Sequence, residues 1–257
     1  MREELEELLR EAGEKILSAS RIKETVSEKE GPANFVTAYD VAVQQMLRER
    51  LLALRPQAQF IGEEGDARGD VHQGEAFIVD PIDGTTNFIK GCNASAISVA
   101  FLRDGQVVTA AVFDPYRQEF FYAEKGKGAT CNGVPVHVSE DSLASSLVCF
   151  GTSPYYREMI PRTFALAQTL LERAMDLRRS GSAVVDFCQL ARGSAGLFFE
   201  WRLSPWDHAA CSLLITEAGG KISQMDGSPL VFDRPCSVVA GTPQAYADFF
   251  RQGLDRI

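Results

Sequence analysis

The stretch that most constrains the fold of this chain begins with the apolar run Phe77-Ile78-Val79. It continues directly as Asp80-Pro81-Ile82-Asp83-Gly84-Thr85-Thr86-Asn87. An apolar run that ends in a turn signal is typical of a short buried strand, and Pro81 and Gly84 are expected to stop it. Asp80 and Asp83 should therefore lie at the carboxyl end of a strand, where open α/β sheets place their ligands.

Two carboxylates three residues apart on a rigid turn repel each other. At a separation of about 4 Å and an effective dielectric constant of about 20, the repulsion is about 4 kcal/mol, so we expect a cation beside them. Oxygen ligands without a neighbouring His or Cys favour Mg²⁺, or Mn²⁺, over zinc. Residues 84–87 also have the sequence of a helix start, whose free N–H groups and positive dipole end can hold a phosphate. The alternative is an acidic turn whose aspartates only cap backbone N–H groups, and one DxxD pattern does not decide between the two.

Length and composition exclude several classes of protein. The chain has 257 residues, of which 45% are hydrophobic and 24% charged, enough for one large domain or two closely packed lobes. A formal net charge of −9 without a basic stripe argues against nucleic-acid binding, although bound metal ions could still attract a small anionic substrate. No apolar run approaches the length of a membrane span, and the acidic N-terminus lacks the features of a signal peptide. Six widely spaced cysteines without a CxxC pair predict free thiols in the cytoplasm.

The first half of the chain has the pattern of helices packed on an antiparallel sheet. Helical periodicity marks residues 2–20 and 37–54, and the polar segment Ser27–Asn34 has the composition of a loop. Alternating runs between residues 94 and 138, with a hairpin signal at Asp104-Gly105, predict a meander. We therefore expect an antiparallel-rich α+β N-terminal lobe over residues 1–140.

The second half alternates strands with helices. Helices are predicted at residues 156–173, 183–191, 205–218 and from 243 onward, with short apolar strands between them. This alternation predicts an α/β C-terminal lobe over residues 141–257.

Four acidic residues fall where predicted strands end or predicted helices begin: Glu63, Asp80, Asp83 and Asp207. Rigid elements could bring these carboxylates to one point. Asp207 follows Ser204-Pro205-Trp206 in the first turn of its helix, where the helix dipole alone would also favour an acidic side chain. The positions therefore indicate a shared site, with helix capping as the alternative for Asp207.

Three motifs together resemble the signatures of the inositol monophosphatase family. They are Gly62-Glu63-Glu64, then Asp80 to Phe88, then Trp206-Asp207-His208-Ala209-Ala210, followed by Glu217-Ala218-Gly219-Gly220 at the end of that helix. Their order and spacing agree over nearly the whole chain. The resemblance implies a Mg²⁺-dependent, lithium-sensitive phosphomonoesterase with the layered αβαβα sandwich of the sugar phosphatases. We also expect the chain to be a cytoplasmic protein and a homodimer.

The resemblance implies ligands for two to three metal ions in each site. Glu63, Asp80, the carbonyl group of Ile82 and Thr85 would surround the first ion. A second ion would lie among Asp80, Asp83 and Asp207, and Glu63 would touch a third, weaker one. The implied catalytic residues are Glu63, Thr85 and Asp83. A water placed by Glu63 and Thr85 would attack phosphorus in line.

Other positions carry over from the family's pattern as substrate contacts or supports. The N–H groups of Gly84 and Thr85 would bind the phosphate, and a water near Asp207 would protonate the leaving oxygen. Contacts to substrate hydroxyls are implied for Gly181, Ser182, Ala183 and Glu200. Thr37 and Asp40 would support the first metal site from behind, although Thr37 can equally be a helix cap.

The sequence does not decide the roles of Lys29 and of the pair Arg178 and Arg179. Lys29 aligns with a lysine near the phosphate, or is a solvated loop residue. Arg178 or Arg179 could pair with Glu200 or support a dimer interface, and the sequence does not choose between them.

The leading prediction is hydrolysis of myo-inositol 1-phosphate or a similar polyol or sugar monophosphate. Glu200 favours this class, because a carboxylate can accept hydrogen bonds from two neighbouring hydroxyls. Fructose-1,6-bisphosphatase, histidinol-phosphate phosphatase and nucleotide 3′-phosphatase activities share the same metal motifs and remain alternatives. A non-catalytic regulatory protein is a further alternative, which the clustered carboxylates argue against.

Overall fold

A computed structural model describes residues 1–29, 35–65 and 69–257. Within these ranges the chain forms the helices α1 (Arg2–Leu17), α2 (Ala38–Leu54), α3 (Thr85–Lys90), α4 (Ile160–Leu171), α5 (Ala183–Ala191), α6 (Pro205–Glu217) and α7 (Pro243–Arg251). The strands are β1 (Val26–Glu28), β2 (Phe35–Thr37), β3 (Gln59–Gly62), β4 (Glu75–Asp83), β5 (Ala96–Arg103), β6 (Gln106–Asp114), β7 (Glu119–Glu124), β8 (Ala129–Cys131), β9 (Val134–Val136), β10 (Leu147–Phe150), β11 (Asp176–Arg178), β12 (Leu197–Leu203), β13 (Lys221–Ser223) and β14 (Cys236–Gly241). No helix in the described ranges is long and apolar enough to cross a membrane.

The helices and the two large sheets stack in five layers. The apolar stripes of α1 and α2 pack on one face of a seven-stranded sheet, in a core that includes Phe77 and Phe101. α5 and α6 lie between that sheet and a five-stranded sheet. α4 and α7 cover the outer face of the second sheet, where Phe199 and Phe249 are buried. The αβαβα sandwich predicted above is confirmed.

The seven-stranded sheet has the order β3-β4-β5-β6-β7-β8-β9. β3 runs parallel to β4, and each later pair of neighbours is antiparallel. The predicted meander is therefore confirmed, as is its hairpin. Asp104 and Gly105 join β5 to β6 with φ values of 46° and 77°, which the right-handed twist of a hairpin requires.

The five-stranded sheet has the order β11-β10-β12-β14-β13. β10 runs parallel to β11 and β12, whereas β14 is antiparallel to β12 and β13. The helix predicted at residues 156–173 is shorter in the structure, because a 3₁₀ turn, Arg157–Met159, precedes α4. Pro161 lies in the first turn of α4, where no backbone N–H is needed.

Two local predictions are wrong. Pro81 does not stop its strand, since β4 continues to Asp83 and its pairing with β5 shifts register between Asp80 and Asp83. Such an irregularity tolerates a proline, because the ladder does not use every N–H there. Residues 26–28, partly within the predicted loop, form β1 and pair with β2. Residues 30–34 of that loop lie outside the described ranges.

The predicted boundary between two lobes falls between β9 and β10. However, α5 and α6 belong to the second half and share a core with the first sheet. The division into lobes 1–140 and 141–257 stays a prediction.

Candidate active site

Three carboxylates meet where β4 ends and α6 begins. Asp80 and Asp83 flank the register shift of β4, and Asp207 lies in the first turn of α6. One carboxylate oxygen of each lies within 4.8 Å of the other two. The N–H of Ser204 donates to Asp207 Oδ2 at 2.8 Å in a capping box. Asp207 therefore caps its helix and also joins the cluster, so both of its predicted roles have a structural basis.

The clustered carboxylates are held away from water and close to like charges. Burial raises the pKa of Asp80 well above its ordinary range, and the neighbouring Glu63, Asp83 and Asp207 raise it further. Burial followed by the charge of Asp83 raises the pKa of Asp207 in the same way. The pKa of Asp83 rises to about 6 through burial, against hydrogen bonds from Ser182 and the start of α5. A divalent cation would relieve this cost by stabilising the ionised carboxylates.

Glu63 lies beside the cluster and pairs with Lys29. Lys29 Nζ is 3.0 Å from Glu63 Oε1 and 2.5 Å from Glu64 Oε1. Glu64 is 8% exposed, and burial followed by the charge of Glu63 raises its pKa to about 7. Gln44 on α2 fixes the backbone of Glu64. The side-chain oxygen of Gln44 accepts from the N–H of Glu64 at 2.9 Å, and its side-chain nitrogen donates to the carbonyl oxygen of Glu64 at 2.6 Å. Sequence analysis missed Gln44, since a single glutamine on a helix carries no motif.

Thr85 is held from behind by α2. Its Oγ1 lies 3.2 Å from Asp40 Oδ1 and 3.2 Å from the carbonyl oxygen of Ile82. The other oxygen of Asp40 accepts from the N–H and the hydroxyl of Thr37, which completes the capping box of α2. Burial raises the pKa of Asp40 in spite of these bonds. Thr37 is thus a helix cap that also orients Asp40 toward Thr85.

α3 begins directly after the cluster, as the helix-start signal predicted. Gly84 is its N-cap residue with a φ of 86°, and a Cβ there would lie 3.0 Å from the carbonyl oxygen of Ala94. The side chain of Asn87 donates to the carbonyl groups of Ala94 at 2.7 Å and Ser180 at 3.0 Å. The first turn of α3 is therefore fixed between the segment before β5 and the segment before α5, with its N–H groups lacking intrahelical partners.

The start of α5 is tied to Asp83. Ser182 is the N-cap residue of α5, and its hydroxyl donates to Asp83 Oδ2. The N–H of Val184 donates to the same oxygen at 2.9 Å. Gly181, Ser182 and Ala183 all line the cavity described next, although the hydroxyl of Ser182 is already bonded within the protein. Their predicted contact with substrate hydroxyls stays a prediction.

A cavity of about 250 Å³ opens beside the cluster. It is lined by the start of α3, the segment 150–156, the start of α5 and residues 200 and 202–204. A second cavity of about 520 Å³ surrounds the carboxylates and reaches Lys29 and Glu63. The two share Asp83, Asp207 and Tyr155 among their walls, so they form one continuous site.

Glu200 on β12 is a buried acid in the wall of the smaller cavity, with 6% of its surface exposed. Ser153 donates its N–H at 2.8 Å and its hydroxyl at 3.1 Å to Glu200 Oε1. Gly151 leaves room for the side chain, because a Cβ there would lie 1.7 Å from Glu200 Oε2. Burial raises the pKa of Glu200 to about 7 against the bonds from Ser153. The sequence indicated Glu200 but not Ser153, which is 47 residues away along the chain.

The structure places Arg178 and Arg179, whose roles the sequence did not distinguish, in different surroundings. Arg178 is exposed and pairs with Asp176. Arg179 lines the cavity, where its charge opposes the rise that burial causes in the pKa of Glu200. Pairing with Glu200 is thus not the role of Arg178 in this structure. Asp186 also lines the cavity, and burial raises its pKa to about 7.

Comparisons with known proteins match this arrangement of motifs and fold. The model of the inositol monophosphatase family matches residues 1–254. An inositol-1-monophosphatase of Rhizobium meliloti is 37% identical over 198 residues, which cover 77% of this chain and 74% of the relative. Human inositol monophosphatase 1 is 34% identical over 233 residues, 86% of this chain and 82% of the relative. The crystal structure of extragenic suppressor protein suhB from Bartonella henselae superimposes with a TM-score of 0.87 at 28% identity, covering 97% of this chain and 95% of that one.

Proposed function

Because the chain belongs to the inositol monophosphatase family, whose members are phosphatases that hydrolyse phosphomonoesters, we propose a Mg²⁺-dependent reaction on a polyol or sugar monophosphate. myo-Inositol 1-phosphate is the leading substrate, and the products are the free polyol and phosphate. The observation that carries the proposal is the convergence of Asp80, Asp83 and Asp207 to within 4.8 Å, beside the start of α3.

The donor set of the site fits Mg²⁺. The groups that face one another are carboxylate, carbonyl and hydroxyl oxygens, which are the ligands that Mg²⁺ and Mn²⁺ prefer. His208 follows Asp207 in sequence, but its Nε2 lies 3.6 Å from Cys236 Sγ in the core. Glu63, Asp80, the Ile82 carbonyl and Thr85 would hold a first ion. Asp80, Asp83 and Asp207 would hold a second, and Glu63 would touch a third.

The chain's own residues would orient the reactants. Glu63 and Thr85 would position the attacking water. Burial raises the pKa of Glu63, and Lys29 at 3.0 Å opposes that rise and so favours the ionised form that this role needs. The N–H groups of Gly84 and Thr85 would hold the phosphate. A water near Asp207 would protonate the leaving oxygen. When bound, Mg²⁺ would lower the pKa of the attacking water and offset charge on the leaving oxygen.

The smaller cavity favours a polyol over a planar or basic leaving group. Glu200 is aimed into it with one oxygen bonded by Ser153, which leaves the second oxygen for substrate hydroxyls. Gly181, Ser182 and Ala183 would complete the contact. Fructose 1,6-bisphosphate, histidinol phosphate and nucleotide 3′-phosphates use the same metal motifs and belong in the test.

We also propose that the protein acts as a cytoplasmic homodimer. α4 and the segment after it expose four large apolar side chains: Ile160, Phe164, Leu171 and Met175. Exposed apolar patches of this kind are typical of protein interfaces. Sedimentation of a monomer at micromolar concentration would contradict the dimer.

The decisive experiment is phosphate release from the four substrate classes, with Mg²⁺ and with EDTA. We expect Mg²⁺-dependent release with a preference for the polyol phosphate, inhibition by Li⁺, and loss of at least about 100-fold in kcat for Asp83→Asn. Asp226→Asn is the matched control, because Asp226 is exposed and its side chain accepts from the N–H and the hydroxyl of Ser228, away from the carboxylate cluster. Full Mg²⁺-dependent turnover by Asp83→Asn would refute the assignment. A failure to bind Mg²⁺ at millimolar concentration by calorimetry would favour the non-catalytic alternative.

A further inference from the structure

Asp186 on α5 brings an unpartnered carboxyl oxygen to the wall of the smaller cavity. The side chain lines that cavity and is only 2% exposed. Its Oδ1 is buried without a hydrogen-bond partner among the described residues, and no other described side chain in the walls of the two cavities has such an atom. A buried acceptor without a donor is costly, so an atom of this kind in a cavity wall requires an explanation.

The protein groups around Asp186 do not supply the donor that its Oδ1 lacks. Ser180 is close enough to oppose the rise that burial causes in the pKa of Asp186, but its hydroxyl donates to the carbonyl oxygen of Ser182 at 2.8 Å. The charge of Arg179 opposes the same rise, yet Arg179 and Asp186 form no ion pair within the part of the chain that the structure describes. A molecule bound in the cavity would therefore supply the donor.

Asp186 and Glu200 reach the cavity from different elements. Glu200 lies on β12 and has Oε1 occupied by Ser153, whereas Asp186 lies on α5. Because burial raises the pKa of each carboxyl to about 7, both are mainly ionised at about pH 8 and can only accept hydrogen bonds. A hydroxyl group has one O–H to donate, so two carboxylates need at least two hydroxyls on the ligand.

We propose that Asp186 binds a hydroxyl group of the leaving polyol, in addition to the hydroxyl that Glu200 binds. The favoured substrates would then carry at least two hydroxyls besides the phosphate ester, as a polyhydroxylated ring does. This inference rests on the proposed function and adds a specificity-determining residue to it. A ring without hydroxyls would still react at the carboxylate cluster, with a lower kcat/KM.

Two compounds with the same carbon ring test the inference. myo-Inositol 1-phosphate has a hydroxyl on every other ring carbon, and cyclohexyl phosphate has none. In Mg²⁺ at about pH 8, Asp186→Ala should lower kcat/KM for inositol 1-phosphate about tenfold more than for cyclohexyl phosphate, mainly through KM. This ratio corresponds to about 1.4 kcal/mol, the scale of one hydrogen bond to a charged group. If cyclohexyl phosphate is not turned over, its inhibition constant against inositol 1-phosphate takes the place of its kcat/KM.

Further variants separate recognition from folding. Asp186→Asn keeps an acceptor oxygen and should retain part of the preference for inositol 1-phosphate. Asp186→Leu keeps two branches at Cγ without an acceptor, so it gives the same test if Asp186→Ala does not fold. Asp248→Ala is the matched control, because Asp248 is also a buried aspartate on a helix, 8% exposed, but lines neither cavity. Any loss that it causes should be equal for the two compounds.

Each outcome bears on one claim. An equal loss for the two compounds in Asp186→Ala and Asp186→Leu would show a structural role, which overturns the inference and leaves the phosphatase intact. An unchanged preference in these variants, or a wild type without a preference for inositol 1-phosphate, overturns it as well. If the wild type hydrolyses no phosphomonoester at all, the proposed function fails and the inference fails with it.

Discussion

Replacing Asp83 by Asn should stabilise the metal-free protein and remove its response to Mg²⁺. In the folded chain burial raises the pKa of Asp83 to about 6, from an ordinary value of 3.8. At about 1.4 kcal/mol per pKa unit, the ionised carboxylate costs about 3 kcal/mol of folding free energy at neutral pH and above. The oxygen of Asn can still accept the bonds from Ser182 and Val184.

The stability that Asp83→Asn gains over the wild type depends on pH. Because the folded-state pKa of Asp83 is raised, the unfolded chain loses this proton at a lower pH than the folded chain does. Stability of the wild type is therefore lost as the pH rises from about 4 to about 6, and the full cost is present above that range. The advantage of Asp83→Asn should be absent below about pH 4 and complete at about pH 8.

Thermal unfolding in EDTA and in Mg²⁺ measures both effects. With about 2 °C per kcal/mol for a chain of this size, Asp83→Asn should raise Tm in EDTA at pH 8 by about 6 °C. Mg²⁺ should raise the Tm of the wild type, through binding to the folded state, and leave that of the variant nearly unchanged. Asp186→Asn is the matched control, since Asp186 is also buried with a raised pKa but lies outside the group of three. It should gain stability and keep the Mg²⁺ increment.

A lower Tm for Asp83→Asn in EDTA at pH 8 would show that the carboxylate is stabilising and that burial does not penalise its ionised form as argued. A Mg²⁺ increment equal to that of the wild type would show that Asp83 is not a ligand. Either result refutes the reasoning at a different step.

Two further changes test contacts outside the sequence motifs. Asp40→Ala removes the buried acceptor of the Thr37 N–H and of the Thr85 hydroxyl, so urea titration should show about 2 kcal/mol less unfolding free energy. An unchanged midpoint would mean that this buried network does not stabilise the fold. Gly151→Ala would place a Cβ 1.7 Å from Glu200 Oε2, so KM for a polyol phosphate should rise about tenfold with a smaller change in kcat. An unchanged KM would show that Glu200 does not contact the substrate.

The sequence predicts features that are determined locally. The hairpin at Asp104-Gly105 follows from two residues that adopt positive φ, and the start of α3 follows from Gly84 and the residues after it. The continuation of β4 through Pro81 could not be predicted this way, because it depends on how β5 pairs beside it. A strand's own residues do not encode a register shift against a neighbour.

The same limit applies to the candidate site. Asp80, Asp83 and Asp207 belong to short motifs, so their proximity could be predicted once the motifs were seen together. Lys29 pairing with Glu64 joins positions 35 residues apart, and no spacing rule connects them. The hydrogen bonds from Ser153 to Glu200 also join distant segments. Ser153 makes them with a φ of 41°, which the sequence does not indicate.

The site is built from two sets of contacts that share few residues. The carboxylate cluster is fixed by β4 and by the starts of α5 and α6, all of them rigid elements. The recognition side is fixed by the segment around Gly151 and Ser153, which contacts Glu200. A substitution in that segment can therefore move Glu200 without displacing a carboxylate of the cluster. We infer that substrate choice in this chain can change independently of hydrolysis, because the side chains for each are held by different elements.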